Sequence, residues 1–265
     1  MIGLCAIASG SNGNCYYISN RHEAILIDGG ISARRIISRM RQRELDPATV
    51  KAVFISHEHS DHTSGARVLG KKLHIPVYTT SRTFMAMYSH LRPVAPKFFE
   101  PGSTISVGSF QIHAFLKNHD AAEPCSFRIT HGGLNVGVFT DIGSACENVV
   151  CHLSQCHALF LETNYDEKML WEGRYPWPLK QRIASDHGHL SNEQAFELLK
   201  IHSGNQLQVV FLSHLSAENN TPEKALSQFS ELNEKITICL TSRHSAGEVY
   251  HIGENNEQGT LNFES

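Results

Sequence analysis

Short apolar runs broken by turn residues fill the first part of the chain. Residues 2–8, then C-Y-Y-I-S and A-I-L-I-D, read as strands joined at S-G-S-N-G-N and S-N-R-H-E. Ser32 is placed to cap a helix whose apolar face is Ile36, Ile37 and Met40 and which ends near Asp46-Pro47. A strand over 51–55, a helix after Asp61, a strand over 76–79 and a helix around 81–90 follow. Strands are predicted near 104–107 and 110–116, and two more, S-F-R-I-T and V-G-V-F-T, bracket the turn H-G-G-L-N. Beyond a helix near 145–154, A-L-F-L-E reads as a short buried strand. Residues 191–202 form a helix with Ala195, Phe196, Leu198 and Leu199 inward; Q-V-V-F-L-S, a helix from Thr221 and K-I-T-I-C-L complete the pattern. No repeat or linker divides the chain. Early hairpins followed by helix–strand alternation predict two mixed sheets packed together with helices outside, as one domain over residues 1–265.

Composition narrows the possibilities. The net charge of -3 argues against a uniformly basic nucleic-acid coat, although a local basic stripe is compatible with it. No apolar run approaches membrane-spanning length, and the opening M-I-G-L-C-A-I-A has no positive region and is soon broken by Ser9 and Gly10. Neither a membrane partner nor a signal peptide is expected, and the location expected is the cytoplasm. Seven cysteines without a C-x-x-C pair do not make a disulfide framework. Cys146, Cys151 and Cys156, with His152 and His157, imitate a zinc site. A period of five turns about 140° per step on a helix, so the thiols cannot share one face. Small core residues are expected there instead.

Seventeen histidines are the anomaly. Three of them, with two carboxylates, crowd into H-E-H-S-D-H directly after the apolar run K-A-V-F-I. A turn at this point lets His57, His59, Asp61 and His62 converge, which one continuous helix would not. Imidazole and carboxylate together suit zinc, manganese or iron. Without a cation such a cluster costs desolvation and like-charge repulsion.

H-E-H-S-D-H resembles the H-x-H-x-D-H signature of the metallo-β-lactamase superfamily. L-I-D-G-G, K-N-H-D-A-A-E-P, F-T-D-I-G and F-L-S-H-L-S are similar to its other motifs, in order and each after an apolar run. The resemblance implies an α/β fold, the αβ/βα four-layer sandwich, with a two-metal site on its edge. It implies that His57, His59 and His119 hold one divalent ion, that Asp61, His62 and His214 hold the other, and that Asp141 bridges. Asp28 would orient ligands from behind, and a hydroxide held between the ions would be the nucleophile. Glu58 and Ser60 receive no role. His22, His74, His113 and His131 match no motif and are expected to be surface or satisfied residues, and His244 is a weaker candidate for the rim of the site.

Fold does not settle substrate. Asp141, where some lactamases use a thiolate, speaks against that activity. Glu162 ends a short strand and His189 precedes a helix, an arrangement similar to the acid and histidine of ribonuclease Z-like phosphodiesterases. Phosphodiester cleavage expels a poor leaving group. A histidine can protonate it, and a neighbouring carboxylate favours the charged ring. Asp61, Glu162 and His189 are therefore the expected catalytic set. A-S-G-S-N-G-N-C-Y-Y-I, L-E-T-N-Y-D-E-K-M-L, G-R-Y-P-W-P-L-K-Q-R-I, G-H-L-S-N and S-H-L-S-A-E-N-N-T-P further resemble the YycJ/WalJ family of 5′-3′ DNA exonucleases. That resemblance implies a metal-dependent exonuclease with DNA as partner. The alternatives are a phosphodiesterase for small or cyclic nucleotides, a glyoxalase II-like thioester hydrolase, and a regulatory member without catalysis.

Five arginines lie within residues 34–43. At helical spacing Arg35 and Arg39 align, with Arg43 near them, as a stripe that could meet phosphates. Trp177, with Trp171 and Tyr175, could stack on bases or cover the site, and two prolines there argue against a regular helix. Ser11 and Asn12, in the glycine-rich turn, could present backbone N–H groups to a phosphate.

Overall fold

The structure, a computed structural model, describes residues 1–253. A first sheet is built from β1 (Ile2–Ala8), β2 (Cys15–Ser19), β3 (Ala24–Ile27), β4 (Val50–Phe54), β5 (Val77–Thr79) and β6 (Pro96–Phe98). The second holds β7 (Thr104–Val107), β8 (Phe110–Leu116), β9 (Cys125–His131), β10 (Leu134–Phe139), β11 (Ala158–Glu162), β12 (Val209–Ser213) and β13 (Thr237–Leu240). The last strand, β14 (Tyr250–Ile252), returns to the first sheet beside β1. The orders are β14-β1-β2-β3-β4-β5-β6 and β13-β12-β11-β10-β9-β8-β7. In each sheet, pairing is antiparallel up to β3 or β10 and parallel beyond it.

The two-residue period of each strand explains the layering. Ile2, Leu4 and Ala6 of β1 face the second sheet and join Phe127, Val136, Phe160 and Phe211 in the central core. Cys5 and Ile7 point the other way, onto Ile36 and Met40 of α1 (Ala33–Gln42). α2 (Ser60–Thr63), α3 (Ala66–Leu73) and α4 (Ser81–Ala86) follow in the first half. The outer face of the second sheet is covered by α5 (Glu147–Leu153) and, beyond α6 (Glu167–Glu172) and α7 (Trp177–Ile183), by α8 (Asn192–His202) and α9 (Pro222–Gln228). Tyr16 meets Phe160 across the sheets, with ring centroids 4.9 Å apart. The result is the αβ/βα sandwich. No helix among the described residues is long and apolar enough to cross a membrane.

Several expectations need correction. β6, β14 and α6, at 3, 3 and 6 residues, are too short to show a period and are not expected from the sequence. α7 forms despite both prolines, because Pro176 is its N-cap and Pro178 lies in the first turn, where no intrahelical N–H is required. α1 stops at Gln42, short of Asp46, and the chain turns away through Glu44 at φ 57°. α4 ends at Ala86, before residue 90. Of the three evenly spaced cysteines, only Cys156 is in the core; Cys146 is half-buried and Cys151 exposed. The expected single domain includes residues 254–265, which lie outside the described region.

The chemistry-bearing residues gather where strands end. Asp28 follows β3, His57 follows β4, His119 follows β8, Asp141 follows β10, Glu162 closes β11 and His214 follows β12. Asp28, Asp141 and His214 have φ of 63°, 54° and 57°, a left-handed conformation that costs a non-glycine residue about 1–2 kcal/mol. The packing behind them holds that strain. Gly30 is part of it: its N–H donates to the Asn14 carbonyl at 2.7 Å, and Asn14 N–H to the Asp61 carbonyl at 2.7 Å. A Cβ on Gly30 would collide with the Asp61 carbonyl and the Asn14 amide. Gly30→Ala should therefore lower unfolding free energy by about 1–3 kcal/mol in urea denaturation. Gly247→Ala, whose added carbon meets nothing nearer than the Ala6 carbonyl at 3.8 Å, should stay within about 0.5 kcal/mol of the parent.

Candidate metal centre

Four buried imidazoles are fixed by acceptors behind them. Ser56 Oγ donates to Asp28 Oδ2 at 2.9 Å and accepts from His57 Nδ1 at 2.9 Å. Asp28 Oδ2 also accepts from His62 Nδ1 at 2.7 Å. His119 Nδ1 donates to the Gly188 carbonyl at 3.0 Å, and His214 Nδ1 to Glu162 Oε1 at 2.8 Å. With Nδ1 occupied, each ring turns its Nε2 into the site, as a metal-ligating histidine does.

Two donor groups result. His57, His59 and His119 each bring one donor atom within 4.8 Å of the others, and Asp61, His62, Asp141 and His214 form a second such group. His57 Nε2 lies 3.0 Å from His59 Nδ1. In the second group, Asp61 Oδ2 is 3.3 Å from His62 Nε2 and 3.5 Å from His214 Nε2. Asp141 approaches the same two nitrogens at 3.2 and 3.6 Å and His119 Nε2 at 3.9 Å, so it stands between the groups. Ligands about 2.0–2.1 Å from a tetrahedral cation are separated by about 3.3 Å. The second group already has that spacing. His119 Nε2, His214 Nε2 and Asp141 Oδ2 are buried without a hydrogen-bond partner, each an expense of about 1–3 kcal/mol that a cation would remove. The donor chemistry and these orphaned atoms fit divalent metal.

Charge follows the geometry. Burial alone would depress His62 and His214, but Asp141 and Asp61, aided by Asp28 at His62 and Glu162 at His214, outweigh it. His62 rises well above the usual histidine range and His214 to about 10. Burial wins at His57, pushed well below that range, and at His119, pushed down to about 4. Burial would raise Glu162, yet His189 and then His214 hold it near 2. Asp61 and Asp141 are likewise depressed against burial, Asp61 chiefly by His62 and Asp141 by His214 and His62.

Glu162, His189, Asp141 and His214 form a third close group, but Glu162 is fully engaged without metal. Its Oε1 accepts from His189 Nδ1 and His214 Nδ1, each at 2.8 Å. Its Oε2 accepts from Ile142 N–H at 2.7 Å and Leu190 N–H at 3.1 Å. His189, 20% exposed at its side chain, keeps Nε2 free of hydrogen bonds among the described residues.

The structure brings Asp28, His57, His59, Asp61, His62, His119, Asp141, Glu162, His189 and His214 into one edge site. It does not bring in Arg39. That side chain is 5% exposed and donates to the carbonyls of Ile7 at 2.9 Å, Arg243 at 3.0 Å and His244 at 2.5 Å. Arg43 is likewise turned to Ala246 and Glu248. Only Arg35 of the expected stripe is exposed. Ser11 and Asn12 are exposed on their turn, and Trp177 is 61% exposed with its ring 5.3 Å from Trp171. His244 is exposed and lines a cavity of about 320 Å³ with Arg243 and Ser9, whose Oγ accepts from the His214 N–H at 2.8 Å. His113 and His131 are bonded to Thr104 and Ser109, while His22 and His74 are exposed.

Other site residues escaped the sequence reading. Asn14 Nδ2 lies 3.1 Å from His62 Nε2 and donates to Asp61 Oδ2 at 3.3 Å. Glu58 Oε1 accepts from Ala122 N–H at 2.8 Å, tying the His57–His62 turn to the loop that carries His119. Lys117 Nζ donates to the Thr140 carbonyl at 2.5 Å, beside Asp141. Arg182 of α7 donates to Asp120 Oδ2 at 2.5 Å and lines the mouth of the site, a cavity of about 320 Å³ reached also by His59, Asp61 and Tyr88. Asn14 had a signal in its glycine-rich turn; the others depend on contacts between distant segments.

Comparison with known proteins places this arrangement. The Beta-lactamase superfamily domain matches residues 23–215. The exodeoxyribonuclease YycJ of Bacillus anthracis is 34% identical over 233 residues, 86% of this chain and 88% of that protein. The exodeoxyribonuclease WalJ of Streptococcus pneumoniae is 35% identical over 224 residues, 83% of each chain. Among solved structures, the metallo-beta-lactamase fold protein YhfI from Bacillus subtilis superposes with a TM-score of 0.71 at 17% identity, over 95% of this chain and 100% of that one. With a third of its residues shared over most of its length, the chain belongs to the YycJ/WalJ family within the metallo-β-lactamase superfamily.

Proposed function

We propose that this protein is a metal-dependent phosphodiester hydrolase that removes nucleotides from DNA as a 5′-3′ exonuclease. In this reading the chain acts as one domain in the cytoplasm. Free cysteines throughout the described residues suit a reducing compartment. The observation that carries the reading is the Glu162–His189 pair at the lip of two cation-ready donor groups. The relatives' printed names support the choice of DNA and of an exonuclease.

His57, His59 and His119 would hold one divalent ion and Asp61, His62 and His214 a second, with Asp141 between them. Zinc, manganese and iron all accept such donors. When bound, the cations supply a water of lowered pKa and offset charge on the phosphate. The protein's own part is orientation and proton transfer. Asp28 and Glu162 fix the rings of His62 and His214. Asn14 steadies Asp61. His189, held at Nδ1 by Glu162, presents Nε2 to the departing oxygen and gives up its proton as the P–O bond breaks. A thiolate leaves without that help, so the pair has no task in thioester hydrolysis. The site mouth, at about 320 Å³, is within the range of small-ligand pockets. That keeps cyclic or small nucleotides as the second reading, and an end-labelled duplex assayed beside cyclic nucleotides separates the two.

His189→Ala is expected to cut turnover on natural DNA by roughly a hundred- to ten-thousandfold with metal content unchanged. A nitrophenyl diester, whose leaving group scarcely needs a proton, should lose far less. Equal losses on both substrates would remove the acid role.

Cation binding should also release protons. The metal-free pKa of His214 is about 10 and that of His62 is raised in the same direction, so both rings are charged at pH 7.5, and ligation requires neutral nitrogen. The contribution of His214 to metal-free stability is complete below about pH 6.5 and fades as pH rises through about 10, and that of His62 likewise fades only above the usual histidine range. Zinc titration by calorimetry in buffers of differing ionisation enthalpy should report roughly two protons released per molecule. Heats independent of buffer would count against the assignment.

A further inference from the structure

We propose that the face formed by α1, α3 and the segment between α4 and β6 is a track for the phosphate backbone of the DNA whose end lies at the metal centre. The proposal rests on the phosphodiesterase reading and adds to it the surface that holds the polymer.

Charge along the sequence is sharply segregated. Residues 29–43 and 62–99 carry eleven of the 23 Lys and Arg and none of the 26 Asp and Glu. Arg39 and Arg43 are used internally, as described above. Six others are exposed, and they line two grooves that the adjacent residues Lys71 and Lys72 join. Arg34 and Arg41 of α1 line one groove with Lys72 of α3. Arg67 and Lys71, one turn apart on α3, line a neighbouring cavity of about 630 Å³ with Lys97. Among the described residues, none of the six has a carboxylate within ion-pairing distance, whereas Arg43, Arg182, Lys200 and Lys224 do. Six cations without a carboxylate partner, carried by acid-free segments of a net-negative protein, repel one another. A polyanion is the ligand that offsets this.

Spacing selects a polymer over a nucleotide. Arg34 and Arg41 are two helical turns apart on one face, about 10 Å along the axis. Successive phosphates of one duplex strand advance about 3.4 Å along the helix, so the groove reaches across about three of them. The face also connects to the chemistry. Arg67 Nη1 donates to the Arg92 carbonyl at 2.7 Å. Arg92 lies between Tyr88, at the mouth of the metal site, and Pro93, in the larger cavity. The concentration of cations without carboxylate partners around that cavity selects a polyanion over an apolar protein segment.

The test compares Arg34→Gln/Arg41→Gln/Lys72→Gln with a control that loses cations elsewhere, Lys200→Gln/Lys235→Gln. Folding is checked by thermal melting. Binding of a labelled phosphorothioate duplex longer than one helical turn is measured by anisotropy over a range of salt, using metal-loaded protein. Nitrophenyl diester hydrolysis is followed in parallel. The triple variant should bind DNA at least about tenfold more weakly at low salt, with its log–log salt slope reduced by about 3, and hydrolyse the small diester at the parental kcat/KM. Unchanged DNA affinity, or an equal loss in the control, overturns the track. If the parent hydrolyses neither DNA nor diester while the binding difference holds, the catalytic reading fails and the track stands. If the parent cuts both and the triple variant binds like the parent, the track fails alone.

Discussion

Which nitrogen an imidazole turns toward a cation is set by what holds the other one. Here the holding groups are Ser56, Asp28, the Gly188 carbonyl and Glu162, all behind the site. The rest of the architecture follows from keeping those acceptors in place. Asp28 and Glu162 are fully buried carboxylates, and each is tolerable only because it accepts several charge-assisted hydrogen bonds. Asp28 accepts from the Ser56 amide, the Ser56 hydroxyl and His62. Glu162 accepts from two amides and two rings.

The two sheets supply this frame in parallel fashion. In each, the strand where pairing changes from antiparallel to parallel, β3 or β10, is followed within two residues by an aspartate with left-handed backbone. One of these, Asp28, acts from behind; the other, Asp141, stands between the donor groups. A crevice at the carboxyl ends of strands is where open α/β sheets place ligands, and two such edges meeting at the Tyr16–Phe160 contact side enclose the site from both halves of the chain.

Most of this was legible in the sequence for a physical reason. Strands buried on both faces, such as β3 and β12, read as apolar runs, β8 reads as an alternating one, and each donor sits one to three residues past its strand, so motif and element reinforced one another. Asp28, His57, His119, Asp141 and His214 were found in this way. Arg39 was misplaced because helical spacing shows which residues share a face, and not which face a segment two hundred residues later will cover. Arg39 reaches β1 and the 243–244 backbone, and neither is visible from α1. Trp177 was set in irregular chain because proline was judged by its presence; its position in the first turn of α7 makes it permissive. Glu58 and Lys117 act through backbone groups, which leave no pattern of residue types to read.

The fork at Glu162 has a consequence for how this enzyme class could diversify. One oxygen receives both the ring proposed to ligate metal and the ring proposed to deliver a proton. The two are therefore mechanically joined: retuning the donor for a leaving group of different basicity means disturbing the cation's own ligand. A lineage with this fork is freer to change the surface that grips its substrate than to change the bond it breaks.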